Sequence, residues 1–280
     1  MVREALEFWV SDPAGVYMDL TLGCGGHSEA LLAKHPQARG IGVDWDHESL
    51  AIARERLAPW GSRINLRQGN FCRIGEILTQ IGISRVNGFL FDLGPSTFQI
   101  LHASRGLSYQ KDEPLDMRMG PTEASLSAAE LLESLSNREL ESLLMEFGEI
   151  HGGLARRLAG SILRNRPKTS GDLTRVLSDV TSHRGLWARC FAALRIVVNR
   201  EMDNLERLLK IMPDFLAPGG RIVGISFHSL EDRRVKNSFR KACAGGVLKL
   251  LTKKPIRAAP DEIRANPKAR SCLLRVAEKI

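Results

Sequence analysis

The stretch Asp19-Leu-Thr-Leu-Gly23-Cys-Gly25-Gly26-His27-Ser28 joins a short apolar run, Val16–Leu20, to a helix-like segment, Ser28–Leu32. Its glycines let the backbone turn sharply and come close to a ligand. A strand that passes through such a turn into a helix begins a βαβ unit, and open α/β sheets bind ligands beyond these strand ends.

The same rhythm continues outward. Ile41–Val43 ends at Asp44, and Glu48–Leu57 reads as a helix. Ile64–Leu66 is a third strand, and Val86–Phe91 is a fourth that ends at Asp92-Leu93-Gly94. Strands alternating with helices predict a parallel, doubly wound α/β sheet. From about residue 103 to 200 little reads as strand. Ser127-Ala-Ala-Glu130 and Ser136-Asn-Arg-Glu139 are capping-box patterns that open apolar-periodic segments. Phe191, Leu194, Val198, Met202, Leu205 and Leu209 recur at helical spacing, which predicts one long helix from Cys190 to Lys210. Pro218-Gly-Gly220 then turns into a fifth strand, Arg221–Phe227. Val247–Leu251 and Cys272–Ala277 read as two final strands in a hairpin at the sheet edge. The expected organisation is an α/β domain over 1–104 and 201–280, interrupted by a helical insert over 105–200.

Three strand ends carry chemistry. Asp44 closes the second strand, where a carboxylate can accept both hydrogens of a ribose diol; with the glycine loop it suggests an adenosine-containing cofactor. A dinucleotide fingerprint that begins at Gly23 needs glycine at 28, where Ser28 stands. The acidic Asp19 ahead of the loop suits a cofactor ammonium better than a pyrophosphate, so S-adenosylmethionine is favoured over NAD. Phe91-Asp92-Leu93-Gly94-Pro95-Ser96 follows the fourth strand. An exocyclic amine conjugated with a nucleobase is a poor nucleophile, and an acceptor such as Asp92 can hold its hydrogens; binding the cofactor and capping a helix are the other readings of Asp92. Ser226-Phe227-His228-Ser229-Leu230-Glu231-Asp232-Arg233 follows the fifth strand. Phe227 suits stacking on a base and His228 suits a polar contact to it, while Ser229-Leu-Glu-Asp232 is also a plain capping box.

Composition narrows the class. Apolar residues make up 43% of the 280-residue chain and charged residues 26%, as in a globular protein. No apolar run approaches the roughly 20 residues of a membrane span. The first residues, Met-Val-Arg-Glu-Ala-Leu-Glu, carry acids and no apolar signal core, so a cytoplasmic protein is expected. Cysteines 24, 72, 190, 243 and 272 lie far apart, which predicts reduced, buried thiols and neither a metal site nor a disulfide scaffold. Charge is uneven: Asp232–Ile280 holds 14 Lys and Arg against 4 Asp and Glu, a net of +10, leaving −2 for residues 1–231 of the total of +8. Such a segment suits a polyanion or a solvated basic surface.

Taken together, the motifs closely resemble the bacterial small-subunit ribosomal RNA cytosine-N4 methyltransferase family, RsmH/MraW. The matching stretches are Asp19–Ser28, Gly42–Asp46, Phe91–Ser96, Arg105–Met119, Phe191–Asn199, Ile225–Asp232 and Asn266–Ser271, and they span nearly the whole chain. Pro114-Leu-Asp-Met-Arg-Met119 and Ser226–Arg233 are the most specific of them. The resemblance implies a Rossmann-like class I methyltransferase sheet with an inserted helical domain that helps bind RNA. It implies S-adenosyl-L-methionine as cofactor, held by Gly25, Gly26, His27, Asp44, Phe71, Asp92 and Gln99. It also implies small-subunit ribosomal RNA as partner; the strand-end chemistry itself gives Asp92, Phe227 and His228 as the catalytic candidates. The chain departs from the family's pattern at Pro95-Ser96-Thr97-Phe98 and at Ala188-Arg189-Cys190-Phe191-Ala192. Another RNA or DNA acceptor, or a non-catalytic RNA-binding assembly protein, are the alternatives that the residues leave open.

Overall fold

Eight strands form one sheet in the computed structural model, which describes residues 1–120 and 126–280. They are Val16–Asp19 (β1), Arg39–Asp44 (β2), Ile64–Gln68 (β3), Val86–Asp92 (β4), Leu216–Ser226 (β5), Leu248–Leu250 (β6), Ile256–Arg257 (β7) and Leu273–Lys279 (β8). Their order is β3-β2-β1-β4-β5-β8-β6, with β7 paired to β8. Strands β1 to β5 run parallel, and β8 is antiparallel to β5, β6 and β7. The order reverses between β1 and β4, so the C-terminal ends of those strands open a crevice for a ligand. This is an open, doubly wound sheet of Rossmann-like order, as the alternating strands and helices predict.

In chain order the helices are α1 (Val2–Trp9), α2 (Gly26–Lys34), α3 (His47–Leu57) and α4 (Ile74–Gln80), then α5 (Thr97–Leu101), α6 (Ala128–Ser134), α7 (Asn137–Glu146), α8 (Gly153–Asn165), α9 (Ser170–Val180), α10 (Arg184–Val198), α11 (Glu201–Ile211), α12 (Ser229–Ala244) and α13 (Pro260–Ala265). The chain divides into two compact units, Met1–Gly94 with Met202–Ile280, and Pro95–Glu201. The first break falls ten residues ahead of the expected 104, because the short α5 is tied to the helical unit: the Gln99 amide nitrogen donates to the Met119 carbonyl at 3.0 Å.

In the sheet unit, alternate residues sort onto opposite faces, as the pleat requires. Met18, Phe89, Phe91 and Ile222 pack in one apolar cluster, and Tyr17, Leu90, Val223 and Ile225 in another. Both faces are covered, which is why the central strands read as unbroken apolar runs. The final strands are no simple edge hairpin: β8 lies between β5 and β6, so the last segment of the chain completes the interior of the sheet.

The helical unit has a core of its own, built from Leu132, Leu140, Leu144, Leu158, Ile162, Leu173 and Leu194. The capping boxes at Ser127 and Ser136 form as expected, each Ser bonding the N–H of its Glu and the Glu returning to the Ser N–H. The long helix does not continue to Lys210. It stops at Val198, Arg200 takes a left-handed φ of 49°, and α11 begins at Glu201. The cause is Asn199, which is 3% exposed. Its Oδ1 accepts the Met119 N–H at 2.7 Å, and its Nδ2 donates to the carbonyls of Met117 and Arg195, each at 2.8 Å. Met117 is itself fully buried with a left-handed φ of 61°, a conformation that is costly without glycine. The specific motif 114–119 therefore serves as the internal brace of this unit. Burial also corrects the cysteine reading: Cys190 and Cys272 are buried, while Cys24, Cys72 and Cys243 are only partly so, and all five are free thiols.

Asn199→Ala leaves the Met119 N–H and the Met117 carbonyl without partners. It is expected to cost about 2–4 kcal/mol, read as a lower urea midpoint in the fluorescence of Trp187, which lies in the same unit. An unchanged midpoint would show that this brace carries no stability.

Candidate cofactor and acceptor site

Four strand ends meet at one edge of the sheet. Met18 and Asp19 of β1 pair with Ile41 and Gly42 of β2 and with Phe89 and Leu90 of β4; Asp92 of β4 pairs with Ile225 of β5. The parallel register delivers the carboxylates of Asp19, Asp44 and Asp92 around the glycine turn. Gly25 is the N-cap of α2 with φ 85°, and a Cβ there would meet Leu57 at 3.0 Å. Glycine is thus needed at 25 for the turn itself as well as for closeness to a ligand.

Each carboxylate is held differently. Asp44 Oδ2 accepts the Gly23 N–H at 2.6 Å and Oδ1 accepts the Asp46 N–H at 2.9 Å, so this side chain anchors the loop. Each oxygen keeps further lone-pair capacity for a diol. Burial raises Asp44 to about 6, against the pull of the Asp46 and Gly23 amides. Asp19, 1% exposed, accepts from the Ser28 hydroxyl at 3.0 Å; burial lifts it to about 7. Asp92 donates its backbone N–H to Thr21 Oγ1 at 2.6 Å, which ties β4 to the loop after β1. Its Oδ1 is shut off from solvent with no hydrogen-bond partner. Burial first, then the charge of Asp19, raises Asp92 to about 7.

His27 lies in the first turn of α2. Burial lowers it to about 4, so the imidazole is neutral at physiological pH, and its Nε2 is buried without a partner. Two orphaned polar atoms and a ring of buried carboxylates fit a ligand that brings hydrogen-bond donors and positive charge. A buried acceptor without a partner is costly, and the ammonium, sulfonium and diol of S-adenosylmethionine answer that need where a pyrophosphate would meet repulsion.

The other expected residues separate. Phe71 follows β3 at the start of a 3-10 turn and packs against the main apolar cluster of the sheet unit. Gln99 belongs to the helical unit, where its Oε1 accepts the Ser96 N–H at 2.8 Å and closes a capping box. Phe227 and His228 follow β5, and the neighbouring Leu93 N–H bonds the Ile225 carbonyl at 3.0 Å, so this turn lies beside Asp92. Phe227 is half-buried against the cluster of Tyr17 and Ile225. His228, not Ser229, caps α12. Its partner is Glu231, 1% exposed. One Glu231 oxygen accepts the N–H of Phe227 at 2.8 Å and of His228 at 3.4 Å, and the other lies 2.9 Å from His228 Nε2.

Sequence reading left Thr21, Ser28 and Glu231 outside the site. Only Glu231 offered a signal, as an acid three residues after a possible cap; the other two acquire roles through contacts across the sheet.

The raised carboxylate has a consequence for stability. Asp92 ionises near 4 when unfolded and near 7 when folded. Between those values the unfolded chain has released a proton that the native state keeps, so stability falls as pH rises through that window and levels off above it. Asp92→Asn removes the titration. In cofactor-free protein its stability relative to wild type is expected to rise from pH 4 to pH 7, by up to a few kcal/mol, in urea melts across that range. A difference that stays flat with pH would contradict the buried acid.

Sequence relatives place the chain in a family. The MraW methylase family matches residues 1–280. The protein named ribosomal RNA small subunit methyltransferase H of Geotalea uraniireducens is 41% identical over 306 residues, covering 100% of this chain and 97% of its own length. Its namesake in Thermotoga neapolitana is 41% identical over 289 residues, covering 100% and 95%. The solved structure of PH0851 is 12% identical with a TM-score of 0.50, over 99% of this chain and 45% of its own, a likeness of fold alone. Matched from end to end by that family and by relatives of nearly its own length, the chain belongs to the MraW methylase family.

Proposed function

We propose that this protein transfers a methyl group from S-adenosylmethionine to the N4 amine of a cytosine in the decoding region of small-subunit ribosomal RNA. The observation that carries the reading is the buried, unpartnered Asp92 Oδ1 beside Asp19 at the switch point of the sheet, in a chain of the MraW methylase family. Named relatives act on small-subunit ribosomal RNA, and that substrate class is carried to this chain on 41% identity over its full length. A cytoplasmic location follows from such a substrate. Among the described residues no helix is long and apolar enough to cross a membrane.

S-adenosylmethionine supplies, when bound, an electrophilic methyl on its sulfonium. The protein's residues bind, align and exclude water. Asp44 holds the ribose, with Phe71 on the adenosine side. Asp19 and the loop Gly25, Gly26 and His27 receive the amino-acid end. Asp92 stands between cofactor and acceptor: its raised basicity suits it to accept a hydrogen from the exocyclic amine and to take the proton that the methylated nitrogen sheds. Phe227 and His228, held in place by Glu231, form the wall against the base. The helical unit takes part in binding RNA, and Gln99, on α5 of that unit, is the further cofactor-binding candidate.

Three outcomes follow. Asp44→Ala is expected to weaken S-adenosylmethionine by about 10- to 100-fold in calorimetry, for the loss of about 1.5–3 kcal/mol of charge-assisted bonding. Asp92→Asn is expected to bind the cofactor and lose single-turnover methylation of small-subunit particles by about 100-fold or more, the mark of a contact made in the transition state. Phe227→Ala and His228→Ala are expected to bind the cofactor normally with impaired transfer. Full activity in both would take that turn out of the site, and equal losses of binding and rate in Asp92→Asn would make Asp92 a cofactor ligand only.

A further inference from the structure

The basic C-terminal segment is not uniform once folded. Some of its cations are already paired: Arg234 with Glu206 at 2.8 Å, Lys249 with Glu278 at 3.6 Å, and Arg275 with Asp232 at 2.6 and 2.9 Å. Lys236 and Arg240 on α12, and Lys253 in the turn after β6, are among those with no ion-pair partner among the described residues. These three line one cleft together with Phe239, Leu250, Thr252 and Arg275.

Lys236 and Arg240 stand four residues apart on one helix, a like-charge arrangement that destabilises a helix by itself. Lys253 adds a third charge from a different element. Arg275, which also lines the cleft, is already neutralised by its two-pronged bond to Asp232. The apolar Phe239 and Leu250 in the lining weaken solvent screening of the charges beside them. The cleft therefore presents three uncompensated cations to an incoming anion.

Its position gives the anion an identity. The helix that carries Lys236 and Arg240 is capped by His228 at the strand ends. At 1.5 Å per residue, Lys236 lies about 12 Å and Arg240 about 18 Å along the helix axis from that cap. A strand whose cytosine enters beside Asp92 has flanking phosphates within reach of this cleft. We propose that the cleft between α12 and the turn after β6 is a seat for backbone phosphates of the RNA strand that flanks the acceptor cytosine. The proposal rests on the methyl-transfer reading and adds to it a contact that positions the RNA without reading its sequence.

The test uses the full chain and a fluorescein-labelled single-stranded 15-mer of uridylate, titrated by anisotropy at several KCl concentrations. Each phosphate contact on a single strand contributes about 0.7 to the slope of log K against log salt. The triple variant Lys236→Ala, Arg240→Ala, Lys253→Ala is therefore expected to flatten the slope by about 2, with binding about 10- to 100-fold weaker near 0.1 M salt. A control triple variant removes the same charge from the exposed Lys34, Arg39 and Arg54 and is expected to keep the wild-type slope. Cofactor calorimetry on both variants reports that the sheet unit is intact. An unchanged slope in the cleft variant, or equal flattening in the control, overturns the seat. Wild-type methylation of small-subunit particles is measured alongside, and its absence overturns the methyl-transfer reading whatever the slope does.

Discussion

Three carboxylates buried at the ends of adjacent parallel strands are an expensive arrangement. Burial is the largest cause that lifts Asp19 and Asp92 to about 7 and Asp44 to about 6, which means the fold holds acids where water would stabilise their charge far better. Much of the surrounding structure answers this. Loop amides bond Asp44, the Ser28 hydroxyl bonds Asp19, and Thr21 links the loop to the backbone of Asp92. Among the buried atoms that stay without a hydrogen-bond partner are one Asp92 oxygen, one His27 nitrogen and one His228 nitrogen. A site built this way is preorganised for a ligand that carries donors and positive charge, because the protein has already met the cost of removing water.

The turn after β5 extends the same logic. Glu231 is a buried acid that bonds two backbone N–H groups and lies 2.9 Å from His228 Nε2, so it fixes the 226–228 turn. The residues proposed to face the acceptor base thus rest on a buried carboxylate. Farther along α12, Asp232 pairs with Arg275, which lines the basic cleft. One helix therefore connects a region of excess negative charge to a region of excess positive charge. Such a gradient suits a cationic cofactor at one end and a polyanionic substrate at the other.

Local features were legible in the sequence. The glycine turn at 23–26, the acids closing the strands at Asp44 and Asp92, and the capping boxes at Ser127 and Ser136 depend on neighbours a few residues apart, and each is found where the pattern puts it. Alternating strand and helix gave a doubly wound sheet because both faces of a parallel sheet are buried, which leaves continuous apolar runs. Methyltransferase chemistry was legible for a different reason: long motifs such as 114–119 and 226–233 resemble a family specifically.

Tertiary structure decided the rest. Periodicity says that residues 190–210 are helical, but only the grip of Asn199 on Met117 and Met119, some eighty residues away in sequence, breaks that helix in two. Composition says that the C-terminal segment is basic, but only folding pairs Arg234 and Arg275 with acids and leaves Lys236, Arg240 and Lys253 free. No pattern places β8 between β5 and β6, since strand pairing is a contest among distant segments. Backbone conformation and apolar face are set by neighbours in sequence, so the sequence determines them by itself. Whether a polar group is paired, orphaned or solvated is set by neighbours in space, and there the folded structure alone decides.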